Sequence, residues 1–347
     1  MNGIRGNVIV GQSGGPTAVI NSSLAGVFKT AKDRGANKVY GMLHGIQGLL
    51  QERYVDLDDH IKNDLDIELL KRTPSAYLGS CRFKLPDISK DREIYDKIFD
   101  ILNKMEIKYF FYIGGNDSMD TIKKLSDYSL LNGSDIRFMG VPKTIDNDLA
   151  ATDHTPGYGS AAKYIGSITK EVIRDGLVYD QQNVTILEIM GRNAGWLTGA
   201  AALAKCEDCE GPDMIFLPEV TFDVDEFMKK VAELHKKKKS VVVAVSEGVK
   251  TADGRYVCEL TDGIEFVDAF GHKQLTGTAR FLAEKINREV GCKTRAIEFN
   301  SLQRCASHIV SRVDITEAYQ VGGAAVKEAF EGETGKMIIL KRVSDDP

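Results

Sequence analysis

The chain has 347 residues, 43% hydrophobic, 27% charged and 8% aromatic. At about 150 residues per domain that is roughly two domains with a sizeable core. A formal charge of −5 speaks against nucleic-acid partners, which ask for a basic excess or stripe. No run approaches the ~20 apolar residues that span a bilayer, so no membrane partner is expected. Six cysteines in so long a chain form no disulfide framework, which predicts a reducing, cytoplasmic location.

From Met1–Gly6, which carries no signal-peptide pattern, the chain passes into a strand at Asn7–Val10. A Gly-rich turn follows, then a helix over Thr17–Asp33 and a strand at Lys38–Met42. Next come a helix at Asp91–Met105, a fully buried strand at Tyr109–Ile113, a helix at Ser118–Tyr128 and a strand at Arg137–Val141 that stops at Pro142. Ala151–Gly159, rich in Gly, Pro and polar residues, is the expected domain junction. Beyond it, helices are predicted at Gly159–Asp175, Asn193–Ala204, Val224–Lys236, Leu275–Glu289 and Ile315–Phe330. Strands are predicted at Val184–Met190, Met214–Leu217, Val241–Ser246, Thr294–Phe299 and Met337–Leu340. The basic run Lys236–Lys239 reads as a solvated helix end. The lone Cys206/Cys209 pair lacks the second pair a zinc site needs and reads as structural. Strands that are apolar throughout, alternating with helices, predict an α/β protein with mostly parallel sheets covered on both faces.

In such sheets ligands collect at the carboxyl ends of strands. Gly11-Gln12-Ser13-Gly14-Gly15-Pro16-Thr17 follows the first strand and opens a helix. Its paired glycines would let backbone N–H groups approach a phosphate, although a tight βα turn would look the same. Gly114-Gly115-Asn116-Asp117-Ser118 repeats the device after a second strand, with oxygen groups suited to Mg²⁺ or to helix capping. The densest cluster is Pro142-Lys143-Thr144-Ile145-Asp146-Asn147-Asp148. If extended, it puts Thr144, Asp146 and Asp148 on one side beside Lys143. That set suits phosphoryl transfer to an alcohol: one carboxylate accepts the hydroxyl proton, the other helps with Mg²⁺, and the lysine offsets charge. Met190-Gly191-Arg192, Glu247, Arg295 and Arg304 add cations and a carboxylate near other strand ends, a set fit for a phosphorylated polyol.

In this order and over nearly the whole chain, the segments SGG (Ser13–Gly15), LGSCRF (Leu78–Phe83), GGNDS (Gly114–Ser118), PKTIDND (Pro142–Asp148), EIMGRNAGW (Glu188–Trp196), SEG (Ser246–Gly248) and LQR (Leu302–Arg304) resemble the phosphofructokinase family. The resemblance implies two Rossmann-like doubly wound domains with the active site in the cleft between them. Residues 1–156, completed by part of 302–347, would bind the phosphoryl donor, and residues 157–301 the sugar phosphate. It implies Asp146 as the base toward the 1-hydroxyl of fructose 6-phosphate, with Thr144 and Asp148 lining the reaction centre. Met190, Gly191, Arg192, Glu247, Arg295 and Arg304 would bind the sugar phosphate, and Gly14 and Gly15 would face the donor phosphates.

Relatives that use ATP typically read GGDGS and PGTIDND, so Asp117 and Lys143 both resemble the pyrophosphate-dependent branch. A carboxylate at 117 would repel a nucleotide α-phosphate, and Lys143 would stabilise the transferring phosphoryl group. The implied reaction is reversible, Mg²⁺-dependent and glycolytic or gluconeogenic, with ATP or another sugar such as sedoheptulose 7-phosphate as alternatives. Asn116 stands where the family has a metal-associated aspartate, and remains the candidate metal ligand. Asn183 and Ser301 stand where relatives have a cross-subunit arginine and a substrate histidine, so a shared site is not assumed, although a homodimer or homotetramer is the expected assembly. Ala25 falls near the position of an allosteric arginine, so control by ADP or phosphoenolpyruvate is not expected. The sequence stops at Pro347, soon after a strand, where many relatives run on. A non-catalytic regulatory subunit would be expected to have lost its base, yet Asp146 and Asp148 are both present. A nicotinamide-dependent oxidoreductase would need a GxGxxG that the first turn lacks. Replacement Asp146→Ser is expected to lower kcat by about 10²–10⁴-fold with little change in sugar binding; near-normal turnover in an initial-rate assay would overturn the assignment.

Overall fold

A computed structural model describes residues 6–260 and 275–344; the start at residues 1–5 and the end at Pro347 lie outside them. In chain order the elements are β1 (Asn7–Gln12), α1 (Ile20–Asp33), β2 (Val39–Met42), α2 (Gly45–Leu49), β3 (Tyr54–Asp56), α3 (Asp64–Arg72), α4 (Glu93–Lys104), β4 (Ile107–Gly114), α5 (Asn116–Leu131) and β5 (Arg137–Pro142). There follow α6 (Tyr158–Gly176), β6 (Asn183–Ile189), α7 (Trp196–Gly199), β7 (Met214–Phe216), α8 (Val224–Lys237), β8 (Ser240–Ser246), α9 (Thr278–Val290), β9 (Lys293–Glu298), α10 (Arg312–Phe330) and β10 (Lys336–Met337). The chain divides into two compact units, residues 1–160 with 304–347, and residues 161–303.

The first unit carries a six-stranded sheet in the order β10-β5-β4-β1-β2-β3. All pairings are parallel except β2 with β3. Alternation along the strands splits the core into two layers. Val8, Val10, Phe111 and Val141 pack with α1 and α10, whereas Ile9, Phe110, Tyr112 and Phe138 pack with residues of α4 and α5. The second unit has a wholly parallel four-stranded sheet, β7-β8-β6-β9. Its core gathers Val184, Ile186, Val241, Val243 and Val245 with Phe227 and Val231 of α8 and Leu282 and Ile286 of α9. Both sheets match the parallel α/β class expected from the strand–helix alternation.

Several elements differ from expectation. Helix α1 starts at Ile20 rather than Thr17, because the Thr17 hydroxyl accepts from Val19 N–H and makes a turn first. Three short elements, α2, β3 and α3, were not foreseen. Helix α3 had a readable signal, a capping box between Asn63 and Asp66. The helix expected over Asn193–Ala204 shrinks to α7 and a 3₁₀ turn at Ala200–Ala204, since Gly195 N–H is drawn to Glu219 at 2.7 Å. Lys238 closes the end of α8 by pairing with Asp213 at 2.7 Å. Cys206 and Cys209 exchange main-chain hydrogen bonds across a tight turn, and all six cysteines are free.

The packing of α1 on α10 depends on missing side chains. A Cβ on Gly26 would stand 2.0 Å from the Tyr319 carbonyl oxygen, and one on Gly322 would stand 2.2 Å from that of Ser23. Gly26→Ala is therefore expected to cost about 1–3 kcal/mol in urea unfolding; an unchanged midpoint would mean that the two helices can separate freely.

Candidate active site

In the first unit the chain leaves β1 toward β2 on one side and later returns to β4 on the other. The crevice between β1 and β4 is thus the switch point where open α/β sheets take ligands. In-register pairing of Gln12 with Ile113 and of Gly114 with Pro142 brings the three strand ends to one level. The two Gly-Gly loops are tied together by Ser13 Oγ and Ser118 Oγ, 2.6 Å apart. The segment at Leu78–Phe83 closes over them: Gly14 N–H donates to the Cys81 carbonyl at 3.0 Å, and Ser80 Oγ donates to that of Gly14 at 2.6 Å.

Lys143, directly after β5, is only 3% exposed. Its ammonium donates to the Gly15 carbonyl at 2.7 Å. Burial, together with the positive charges of Arg304 and Arg82, lowers its pKa to about 8, while Asp146 and Asp148 pull the other way. A Cβ on Gly14, which has φ +74°, would stand 3.2 Å from that ammonium, and one on Gly15 would stand 3.2 Å from Arg304 Nη1. The glycine pair therefore runs between two cations. Arg304 Nε is buried without a hydrogen-bond partner. A buried N–H donor left unmatched beside a lysine and a glycine-rich loop is what an anion would satisfy.

The acid loop is not the continuous strand assumed above. After an isolated bridge between Thr144 and Gly157 the chain turns, with Asn147 at φ +56°. Thr144 Oγ1 accepts from Asp146 N–H at 3.1 Å. Thr155 donates its hydroxyl to the Thr144 carbonyl and its N–H to Asn147 Oδ1. Asn147 is thus a turn former, and the loop's shape comes from these bonds rather than from period-two alternation. Asp148 accepts from Asn116 Nδ2 at 2.9 Å. The protein crowding the Asp148 carboxyl raises its pKa even though the residue is open to solvent, with the Asn116 amide opposing. Asp117 lies in the first turn of α5.

In the second unit, the ends of β6 and β8 meet. Glu247 N–H donates to the Ile189 carbonyl at 2.9 Å, Ser246 Oγ to that of Gly191 at 2.6 Å, and Gly191 N–H to Glu247 at 3.4 Å. These bonds bring Met190, Gly191, Arg192 and Glu247 together, over a small depression lined by Glu188, Met190, Glu247, Thr276 and Glu298. Glu188 is buried and accepts from the Ala279 N–H at the start of α9. Burial pushes its pKa up to about 7 against that backbone bond. Two residues grouped with this set stand elsewhere. Arg295 lies on the edge strand β9 and pairs with Asp175 at 2.7 Å. Arg304 belongs to the first unit, beside Gly15.

Residues 7–329 match the family described as Phosphofructokinase. The chain belongs to the phosphofructokinase family. A pyrophosphate–fructose 6-phosphate 1-phosphotransferase of Halomonas elongata is 41% identical over 345 residues, covering 98% of this chain and 81% of its own. The crystal structure of a pyrophosphate-dependent phosphofructokinase from Marinobacter aquaeolei superposes with a TM-score of 0.85 at 36% identity, covering 98% of this chain and 79% of that one. An ATP-dependent 6-phosphofructokinase of Corynebacterium efficiens is 32% identical, covering 95% of this chain and 88% of its own.

Within the phosphofructokinase motifs the sequence reading passed over Arg82. Its charge reaches Lys143, and the LGSCRF segment that carries it was in view. It also passed over the buried amides of Gln12 and Asn21, which hold that segment through Leu78 N–H and Tyr77 N–H. No group of three or more His, Cys, Asp or Glu gathers among the described residues.

Folding disfavours the charged form of Lys143. The cost is borne in full below pH 8, and stability rises from pH 8 toward 10.5, where the unfolded chain still holds the proton. Lys143→Met is expected to be more stable at pH 7 by about 2 kcal/mol, net of the lost hydrogen bond, with the gain shrinking as the pH climbs through that window. Urea unfolding at pH 7 and pH 10 checks this; a less stable variant at pH 7 would overturn it.

Proposed function

We propose that the chain transfers a phosphoryl group from pyrophosphate to the 1-hydroxyl of fructose 6-phosphate, giving fructose 1,6-bisphosphate and phosphate, in a reversible reaction. The observation that carries this reading is the anion cradle. It combines a buried lysine, an arginine N–H without a partner and two glycines at the switch point of the sheet, with the Asp117 carboxylate at the start of α5. Relatives near 40% identity over almost their full match carry the corresponding activity in their names.

In this reading the first unit binds the donor. Gly14 and Gly15 face its phosphates, and Lys143 and Arg82 offset charge on the transferring group. Arg304 lends its free N–H to phosphate oxygens at the same edge. Asp146 takes the proton from the sugar hydroxyl, and Thr144 fixes that loop through its bond to Asp146 N–H. In the second unit Met190, Gly191, Arg192 and Glu247 bind the sugar phosphate. Asp117 places a negative charge where a nucleotide would put its α-phosphate, and so selects the shorter donor. The residues present fit Mg²⁺, which takes one or two protein oxygens and fills its shell with phosphates and water. Asp148 and Asn116 would hold it, and when bound it would neutralise phosphate charge. No described helix is long and apolar enough to cross a membrane. The six free thiols support a cytoplasmic setting.

The test is the initial rate with fructose 6-phosphate and Mg²⁺, supplying pyrophosphate or ATP. Turnover with pyrophosphate and none with ATP is expected, and turnover with ATP alone would overturn the choice of donor. Asp117→Gly is expected to gain ATP binding detectable by calorimetry; a variant that still ignores ATP would remove Asp117 from the explanation.

A further inference from the structure

Asp314, in the first turn of α10, is 3% exposed, and its carboxylate has no ion-pair partner among the described residues. Its Oδ1 accepts from Gly157 N–H at 2.8 Å, and its Oδ2 accepts from Ser160 N–H at 2.8 Å and from Ser160 Oγ at 2.5 Å. The favourable end of the α6 dipole and three donors thus compensate a buried charge that would otherwise be costly. The contact is reciprocal. Ser160 Oγ accepts from Ser311 N–H at 3.2 Å, just ahead of α10, while Ser311 Oγ accepts from Asp314 N–H at 3.4 Å. Two helix starts far apart in sequence therefore cap one another.

The backbone fixed in this way is the strip that shapes the acid loop. Gly157 bridges to Thr144, and Thr155 donates to the Thr144 carbonyl at 2.8 Å and to Asn147 Oδ1 at 2.9 Å. Asp314 Oδ1 thus holds Gly157, Gly157 bridges to Thr144, and the Thr144 hydroxyl accepts from Asp146 N–H. We infer that Asp314 is a positioning residue for phosphoryl transfer: it pins residues 157 and 160, and through them sets the conformation of Thr144–Asp148. The inference rests on reading that loop as the reaction centre. Both oxygens accept at the start of α6, Oδ1 from Gly157 and Oδ2 from Ser160, where an amide would offer one acceptor only.

Asp314→Asn keeps the size of the side chain but turns an amide N–H₂ toward N–H donors. Ser160→Ala removes the hydroxyl's bonds to Asp314 and Ser311 but keeps the Ser160 N–H bond, and serves if the first variant does not fold. In the full-length protein, hydrogen exchange is expected to quicken by about tenfold or more across residues 143–149 and 155–160, with β4 and β8 unchanged. With whichever donor supports turnover, kcat is expected to fall by about 10–100-fold, while KM for fructose 6-phosphate stays within about threefold. A folded variant with wild-type exchange in the loop, or with wild-type kcat, would overturn the inference. If the parent protein turns over neither pyrophosphate nor ATP, the proposed activity fails on that count alone. The exchange rates then still decide whether Asp314 shapes the loop.

Discussion

Parallel strands in register end together, and the first unit depends on that constraint. β1, β4 and β5 are neighbours whose last residues pair directly, so the loops that leave them must crowd one edge of the sheet. Each loop begins with residues that a strand would not keep: two glycines after β1, two around the end of β4, and a lysine after β5. Crowding alone would leave them disordered. They are fixed by short polar links, Ser13 to Ser118, Ser80 to Gly14 and Lys143 to Gly15. At this edge the Lys143 ammonium and the unpartnered Arg304 Nε–H flank the glycine pair.

Charge is buried here at a cost to stability. Lys143 is dehydrated next to Arg304 and Arg82, and its lowered pKa measures how much folding disfavours the ammonium. Asp314 and Glu188 show the same strain with opposite sign, each a carboxyl raised by burial and eased by the amide groups at a helix start. Asp314 spends its oxygens on Gly157 and Ser160, next to the acid loop.

Much of the candidate site was legible from residue order, because glycine pairs and acid clusters placed directly after apolar runs can only sit at strand tips. Where that reasoning failed, it did so for local reasons. The alternation of Thr144, Asp146 and Asp148 presumed a strand, but Asn147 adopts a left-handed turn and Thr155 locks it. Arg295 was read as lying near a strand end, yet the register of β9 with β6 puts it beside Thr185 in mid-strand, where Asp175 claims it. Arg82 lay in an irregular segment with no periodicity to mark it. Asp314 stands just ahead of the helix expected from Ile315, and nothing local marks it.

The sequence by itself determined the α/β class, the family and which residues stand at the strand tips, because periodicity, glycine placement and motif order are local properties of the chain. Tertiary structure alone decided which of those groups meet. The approach of Arg304 to Gly15, the bond of Lys143 to Gly15 and the grip of Asp314 on Gly157 and Ser160 join residues from 128 to nearly 300 positions apart. Such contacts follow from strand order and helix packing, which no local pattern encodes.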